Sequence, residues 1–359
     1  MTQLADTPRT PLESIFFGQA RACRNLGSPF SATVLEVMLA DLQAGGVFAE
    51  VLAPFADLDL QGQIDAATPI RPLGWAHAMA LGGEVPDLSA IYPPRVTEAD
   101  PGALAAVLLP LARTRQAELA AFIASPPQTN EVQRTLCLVG GFATVAAETG
   151  LPLRCLEIGA SAGLNLNWPL YHYRLGGVGA WGDPGSAVQI EGPWTGPAPP
   201  LGPMAVTECR GCDIAPVDIR DPDRARRLRA YVWADQRARV ARIDAAIALA
   251  QETGLDLVAA DAADWVEANV RPVPGMATVL YHSVMWQYMP ATTQGRIEAH
   301  MAAMAELATP AAPLAWLSME MVTGDALMAV NLRLWPNGGQ RCLARVHPHG
   351  AFVEWSGGT

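Results

Sequence analysis

The chain has 359 residues, of which 50% are hydrophobic and 16% charged, and its formal net charge is -11. A net anion is repelled by the phosphate backbone, so we expect no nucleic-acid partner. All 24 basic residues are arginine, and the lack of lysine excludes Schiff-base chemistry and a lysine-bearing phosphate loop.

The amino terminus and the cysteines indicate the compartment. The stretch Met1–Asp6 has no basic segment followed by an apolar run, so we expect no signal peptide. No run of about 18 apolar residues occurs, so we expect no membrane span. Cys209 and Cys212 form a Cys-x-x-Cys pair, but zinc needs two further ligands, so we expect no metal site. A reducing cytoplasm with free thiols fits this pattern.

Residues 1–127 are predicted to form a helical region. Ser31–Leu42 opens with a capping residue and is followed by a Gly-Gly pair, and residues 102–124 form a second helix that is interrupted or kinked at Pro110. We expect this region to cap the crevice of the domain that follows. The alternatives are plain core packing of the helices or a separately folded interaction module.

The most informative stretch begins with an apolar run, Leu153–Ile158, in which an acid is the fifth residue. Gly159 and Gly163 follow, with small residues between them. This order predicts a buried strand, a tight turn and a helix start. The glycines let the backbone approach a ligand, and the helix start offers backbone N–H groups.

Further strands are predicted along residues 128–359. Runs near 206–213 and 255–260 lead into Asp213 and Asp261, and the run 277–283 ends in His282 and Ser283. Residues 314–320 read as a fifth strand, and an antiparallel hairpin follows around Pro336–Gly339. In a parallel sheet the carboxyl ends of strands line the ligand crevice.

Two stretches interrupt this alternation. Residues 171–205 are rich in proline and glycine and are predicted to be an insertion. Residues 220–242 contain eight arginines interleaved with aspartates, which indicates a solvated helix face laced with ion pairs or, alternatively, a wall that binds an anionic substrate.

Three stretches resemble the motifs of class I S-adenosylmethionine-dependent methyltransferases. The turn at 157–163 is similar to the first motif, although only two of its three glycines are present. Residues 211–216 resemble the end of the second strand, where an acid takes the ribose hydroxyls, and 257–264 resemble the motif that reads the adenine edge. The distance from Glu157 to Asp213 far exceeds the roughly twenty residues of a dinucleotide-binding unit, and the insertion accounts for the excess.

This resemblance implies an α/β, Rossmann-like class I methyltransferase fold, namely a mostly parallel sheet with a C-terminal antiparallel hairpin, plus a helical N-terminal cap. It implies S-adenosylmethionine as cofactor. The residues expected to bind it are Glu157, Gly159, Ala160, Ser161, Gly163, Asp213, Asp261 and Ala262.

A small-molecule substrate is expected beside this cofactor. His282 is the candidate base, because its ordinary pKa lies near neutrality. The side chains expected to bind substrate are Arg134, Tyr281, Gln287, Phe17 and Gln19. Four stretches occur in the same order as in an uncharacterised bacterial family, domain of unknown function 2332, namely 153–165, 211–216, 257–264 and 278–290. Together with Asn130–Arg134, Trp233–Gln236 and His282-Ser283, they make essentially the whole chain resemble that family, which implies no known substrate.

Two functions compete at this point. The first is a methyltransferase acting on a small molecule. The second is a non-catalytic module that binds a nucleoside or nucleotide, in which His282 is a satisfied histidine packed at a strand end. A nicotinamide oxidoreductase would normally carry the fuller Gly-x-Gly-x-x-Gly turn.

Overall fold

The structure is a computed structural model, and it describes residues 10–358. Its α-helices are α1 (Pro11–Asn25), α2 (Pro29–Gln43), α3 (Val47–Val51), α4 (Leu60–Asp65), α5 (Ile70–Gly82), α6 (Pro86–Ala90), α7 (Pro101–Thr114), α8 (Gln116–Ala124), α9 (Thr135–Thr149), α10 (Pro222–Ala230), α11 (Arg237–Thr253), α12 (Ala262–Asn269) and α13 (Ala291–Ala305).

The strands are β1 (Leu153–Ile158), β2 (His172–Leu175), β3 (Gly179–Trp181), β4 (Gln189–Gly192), β5 (Trp194–Thr195), β6 (Val206–Asp213), β7 (Asp256–Ala259), β8 (Ala277–Ser283), β9 (Leu314–Met321), β10 (Met328–Trp335), β11 (Gln340–Val346) and β12 (Val353–Trp355). Short 3-10 helices precede α9 at Val132–Arg134, follow β1 at Leu164–Leu170 and follow β8 at Trp286–Tyr288.

The chain divides into two compact units. The first contains residues 1–129 and 221–241, and the second contains residues 130–220 and 242–359. The division therefore passes within α11, and α10 belongs to the first unit although it lies far along the chain.

The first unit is helical throughout its described residues, as the sequence predicts for 12–125. Large side chains such as Phe30, Trp75 and Tyr92 are almost completely buried in its core. The helix α10 packs on α5, where a Cβ on Gly74 would lie 2.6 Å from the ring of Tyr231. Glycine is therefore needed at this crossing, because any side chain would push the two helices apart.

Residues 231–241 also stabilise the first unit, through the carboxylate of Asp235. This carboxylate accepts a hydrogen bond from the backbone N–H of Phe30 at 2.9 Å and another from the hydroxyl of Ser28. Both donors lie at the amino terminus of α2, whose first N–H groups have no partner within the helix. A distant aspartate thus caps a helix that lacks a side-chain cap of its own.

The arginines near α10 make local ion pairs. Arg224 pairs with Asp221 and Arg226 with Asp223, and each pair is three residues apart on the helix. Arg227 stacks over the ring of Phe122, with its guanidinium carbon 3.8 Å from the ring centroid. Three arginines of the stretch 220–242 therefore make their contacts within the first unit.

The second unit is built on one large sheet. Within the described residues its strand order is β5-β12-β11-β10-β9-β8-β1-β6-β7. The strands from β7 to β9 in this order are parallel, whereas β10, β11 and β12 continue as an antiparallel meander. The prediction of an α/β fold with a mostly parallel sheet and additional helices is confirmed, and β10 and β11 form the predicted C-terminal antiparallel pair.

Helices cover both faces of this sheet. The helix α9 is buried over most of its length, and a Cβ on its Gly141 would lie 2.5 Å from Leu317 of β9. On the opposite face, Ile297 and Met301 of α13 join the apolar cluster of Leu156 and Leu280. Burial on both faces explains why β1 and β8 carry apolar side chains on both sides of the sheet.

The segment between β1 and β6 carries a second sheet with the order β3-β2-β4. Tyr171 and Tyr173 are fully buried in it, and each hydroxyl donates to a backbone carbonyl of the 3-10 helix after β1. The proline- and glycine-rich stretch is therefore ordered structure with its own core contacts. No helix in the described part of the chain is long and apolar enough to cross a membrane.

Candidate functional site

The crevice is positioned by a reversal in the order of the parallel strands. From β1 the chain moves to β6 and β7 on one side of the sheet, and it then returns to β8 and β9 on the other side. The chain therefore crosses over in one direction from β1 and in the opposite direction from β8, and the carboxyl ends of these two neighbouring strands lie at the point of reversal. Such a switch point is where ligands bind in open α/β sheets.

The turn after β1 has an unusual backbone. Gly159, Ser161 and Gly163 all have positive φ, at 66°, 57° and 74°. For serine this left-handed conformation is strained, and strained residues concentrate at functional sites. The helix predicted to start after this turn is a seven-residue 3-10 helix, and it contains Pro169, which lacks the N–H that a continuing helix needs.

The backbone N–H groups of this turn are held by neighbouring residues. Ala160 donates to the carbonyl of Cys212 at 3.0 Å, and Leu164 donates to the side-chain oxygen of Asn130 at 2.9 Å. The N–H groups that the sequence offered to a ligand are thus used to fix the turn against β6 and the residues before α9.

Asp213 joins the ends of β1 and β6. Its Oδ2 accepts from the N–H of Ser161 at 2.8 Å, and its Oδ1 accepts from the N–H of Ala215 at 2.9 Å. The carboxylate is half-buried and has further lone pairs, since an ionised carboxylate accepts about four hydrogen bonds. The hydroxyl of Ser161 is buried beside it and has no hydrogen-bond partner among the described residues.

Asp261 and Ala262 lie at the end of the neighbouring strand β7. Asp261 is the N-cap of α12, and its Oδ1 accepts from the N–H groups of Ala263 and Asp264 at 2.9 and 3.2 Å. Ala262 is the first residue of that helix. Since β1, β6 and β7 are adjacent, the structure brings together the three strand ends that the sequence singles out.

Glu157 is the buried acid of the crevice. Its side chain is 2% exposed, and its Oε2 accepts a hydrogen bond from the hydroxyl of Tyr281 at 3.2 Å. Burial raises the pKa of Glu157 to about 8, and the Tyr281 hydrogen bond opposes this only in part. Glu157 is therefore a neutral carboxylic acid at pH 7 and can donate as well as accept.

Arg134 lies just before α9, at the same edge of the sheet. Its Nε donates to the carbonyl of Pro348 at 2.9 Å. Burial lowers the pKa of Arg134, whereas the charges of Glu131 and Glu320 oppose that change. Arg134 is thus a partly buried cation whose charge is balanced by the nearby carboxylates of Glu131 and Glu320.

His282 is held at both ring nitrogens. Nδ1 lies 2.6 Å from Oε1 of Glu320, and Nε2 lies 3.0 Å from the indole Nε1 of Trp316. An indole N–H can only donate, so Nε2 is the acceptor and Nδ1 carries the proton. Glu320 also accepts from the N–H of Met285 at 3.2 Å, so it ties β8 to β9 and to the loop after β8.

That loop closes over the turn after β1. Val284 has a φ of 55°, which is strained for a β-branched residue. Met285 then lies against Gly159, where a Cβ would be 2.8 Å from the Met285 Cγ. The close approach that Gly159 permits is therefore made by a flexible methionine side chain.

The remaining substrate candidates are spread over both units. Gln287 is exposed in the 3-10 helix after β8. Phe17 and Gln19 lie on α1 in the helical unit, where Phe17 is 41% exposed and Gln19 donates to the sulfur of Cys23 at 3.5 Å. No group of three or more His, Cys, Asp or Glu side chains that could hold a metal ion occurs within residues 10–358.

Sequence reasoning missed Glu320, Trp316 and Asn165. Glu320 lies near the end of a strand that the apolar pattern predicts, and an acid in that position is the signal that could have found it. Asn165 follows the turn directly, and its side-chain oxygen is buried without a partner in the described part of the chain. The role of Trp316 has no local signal, because it depends on the pairing of β8 with β9.

These features define an α/β protein whose mostly parallel sheet carries a polar crevice, with buried and half-buried carboxyl groups, at its carboxyl edge. The chain belongs to the family described as an uncharacterized protein conserved in bacteria, domain of unknown function 2332, whose model matches residues 13–355. The predicted membership of this family is confirmed. No curated protein and no solved structure matches the chain.

Proposed function

We propose that this protein is an S-adenosylmethionine-dependent methyltransferase that acts on a small molecule. The observation that carries the proposal is the switch point between β1 and β8, where polar side chains converge with unused hydrogen-bonding capacity. Ser161 and Asn165 each have a buried oxygen without a partner in the described residues, and Asp213 lies half-buried beside Ser161. Buried polar groups normally have partners, so this set favours a polar ligand.

The chemistry of these groups fits a nucleoside. Asp213 has lone pairs left for two ribose hydroxyls, and Asp261 and Ala262 would meet the adenine edge at the end of β7. Met285 covers Gly159, but an unbranched methionine rearranges more easily than a branched side chain. When bound, S-adenosylmethionine supplies an electrophilic methyl group, which leaves the protein to align a nucleophile and remove its proton.

His282 is the residue proposed to remove that proton. Glu320 holds the tautomer in which Nδ1 is protonated, and this leaves Nε2 as the basic nitrogen. The indole of Trp316 must release Nε2 before a substrate proton can reach it. Arg134, Tyr281 and Gln287 are the side chains proposed to orient the substrate.

A non-catalytic module that binds a nucleoside or nucleotide is the second candidate. The hydrogen bonds of His282 to Glu320 and Trp316 favour this candidate, because a histidine engaged at both nitrogens can act as a structural link between β8 and β9 without taking part in chemistry. The two candidates share the ligand site and differ in whether His282 takes part in chemistry.

Calorimetric titration with S-adenosylmethionine, S-adenosylhomocysteine, NAD and ATP tests the ligand. We expect binding of the first two, and we expect Asp213→Ala to weaken S-adenosylhomocysteine by about 1–3 kcal/mol, since buried partners lose their acceptor. Asp218→Ala is the matched control, because Asp218 is an exposed acid five residues further along. Binding of NAD or ATP in preference to both sulfur compounds would contradict the proposal.

His282→Asn separates the two candidates. If His282 is the base, the variant keeps its affinity for S-adenosylhomocysteine but loses methyl transfer to a panel of small amines, phenols and carboxylates. If the protein is a sensor, neither the wild type nor the variant produces S-adenosylhomocysteine. Equal rates of methyl transfer by the wild type and His282→Asn would show that His282 is not the base.

A further inference from the structure

A separate pocket lies in the second unit, on the sheet face that carries His282. It has a volume of about 160 Å³ and is lined by residues of β8, β9, β10 and β11, by Trp286 after β8 and by Glu298 of α13. None of its lining residues is among those proposed to bind the nucleoside, although His282, Glu320 and Trp316 form the proposed base and its two hydrogen-bond partners. Its chemistry therefore requires its own explanation.

The inner part of this pocket is aromatic. The rings of His282, Trp286 and Trp316 lie with their centroids 5.2 to 6.1 Å apart. His282 is neutral in the tautomer described above, so this wall carries no positive charge. Electron-rich rings of this kind attract an organic cation.

A carboxylate lies beside the aromatic wall. Glu320 lines the pocket, and its Oε2 is buried and has no hydrogen-bond donor among the described residues. A buried carboxylate oxygen without a donor is unfavourable, because it has lost its water partners without gaining a protein donor. A ligand N–H entering the pocket can supply the missing donor, and an ammonium group also neutralises the charge. Glu298 adds a second negative charge at the exposed rim.

The opposite end of the pocket is cationic. Arg333 is exposed there, with its guanidinium carbon 5.4 Å from the centroid of the Trp316 ring. Two of its nitrogens donate to Oε1 of Gln340, at 3.0 and 2.6 Å. Further N–H donors of the guanidinium remain to bind a carboxylate.

The two charged ends are separated along the sheet. Arg333 pairs with Trp316 across β10 and β9, and Glu320 lies four residues beyond Trp316 on β9. At about 3.3 Å per residue along a strand and about 4.8 Å between neighbouring strands, the backbones of Arg333 and Glu320 are roughly 14 Å apart. The two side chains enter the pocket from these separate positions, so a ligand with a cationic and an anionic end can contact both.

We propose that this pocket binds a small ω-amino carboxylate, with its ammonium group at Glu320 and the aromatic rings and its carboxylate at Arg333. An α-amino acid, in which both charges share one carbon, fits this spacing less well. The proposal does not depend on S-adenosylmethionine, because none of the pocket's charged groups is assigned to that cofactor.

Calorimetry on the full chain, without any nucleoside, tests this assignment. The probes are a series of linear ω-amino carboxylates of increasing length, together with the alkylamine and the alkyl carboxylate of matching length. We expect the zwitterions to bind with an optimum length and about tenfold or more tighter than either singly charged analogue, since only they form a charge-assisted hydrogen bond at both ends.

Two variants test which residue binds each end of the ligand. Arg333→Gln should lower zwitterion affinity about tenfold, to that of the alkylamine, while Arg345→Gln on β11, outside the pocket, should leave it unchanged. Glu320→Gln should remove the preference for an amine, and its amide can still accept from His282. Absence of binding by every zwitterion, or wild-type affinity in Arg333→Gln, would overturn the proposal whether or not S-adenosylmethionine binds.

Discussion

Replacing Glu157 with glutamine should make the protein more stable at alkaline pH. The side chain is buried and keeps its proton up to about pH 8, whereas an ordinary glutamate loses it near pH 4.5. Glutamine has the same shape as the neutral acid and cannot ionise. At pH 5 the variant and the wild type should therefore have nearly equal free energies of unfolding.

The pH dependence follows from which state binds the proton. Between pH 4.5 and about 8 the unfolded chain releases the proton of Glu157 while the folded chain retains it. The contribution of Glu157 to stability is thus fully present below pH 4.5 and is lost as the pH rises through 8. At 1.36 kcal/mol for each pH unit, the total loss is on the order of 5 kcal/mol.

Urea unfolding, followed by tryptophan fluorescence from about pH 5 to pH 8.5, measures this difference. The stability of Glu157→Gln relative to wild type should rise by about 1.4 kcal/mol for each pH unit and level off above pH 8. Glu354→Gln, an exposed glutamate of the same sheet, should show no such trend. Parallel profiles for wild type and Glu157→Gln would show that Glu157 is not a buried neutral acid.

Three further substitutions test individual contacts. Asp261→Ala should lower the free energy of unfolding by about 1 kcal/mol, because α12 loses its N-cap. Asp261→Asn should keep most of the wild-type stability, since asparagine also caps helices. Equal losses in the two variants would exclude a capping role. Gly159→Ala should lower the free energy of unfolding by about 1–3 kcal/mol, because its Cβ would meet Met285. Adding Met285→Ala should recover part of that loss. Strict additivity of the two substitutions in a double-mutant cycle would count against their contact. Asp235→Ala should reduce hydrogen-exchange protection at the amino terminus of α2 with a loss of about 1–3 kcal/mol, and unchanged protection there would refute its capping role.

Local patterns were sufficient to predict the parallel strands of the large sheet and its C-terminal hairpin. The apolar runs that become β1, β8 and β9 are buried on both faces of the sheet, so they stand out in the sequence without any knowledge of their neighbours. The helical character of residues 12–125 was predictable from capping residues, prolines and glycines. The helix predicted over 102–124 is divided after Thr114 and not at Pro110, which lies inside α7. The short 3-10 helix after β1 was not predicted, since the effect of Pro169 depends on how the preceding turn is held.

The crevice was only partly predictable for a related reason. A sequence shows that Asp213 and Asp261 follow strands, and adjacent parallel strands then bring them together. It does not show that Asp213 binds the N–H of Ser161 or that Asp261 caps α12, because these hydrogen bonds depend on the path of the turns. Both carboxylates therefore have structural partners that composition and spacing could not reveal.

The sequence by itself determined the α/β class, the acid within the first buried strand and the membership of a bacterial family, since all of these are properties of local order and overall pattern. Only the tertiary structure decided that Glu320 faces His282, because their contact requires β8 and β9 to pair in parallel with His282 opposite Ser318. It also decided that residues 221–241 belong to the helical unit, through the bond of Asp235 to α2. Contacts between residues far apart in the chain depend on packing, and packing is a property of the whole fold.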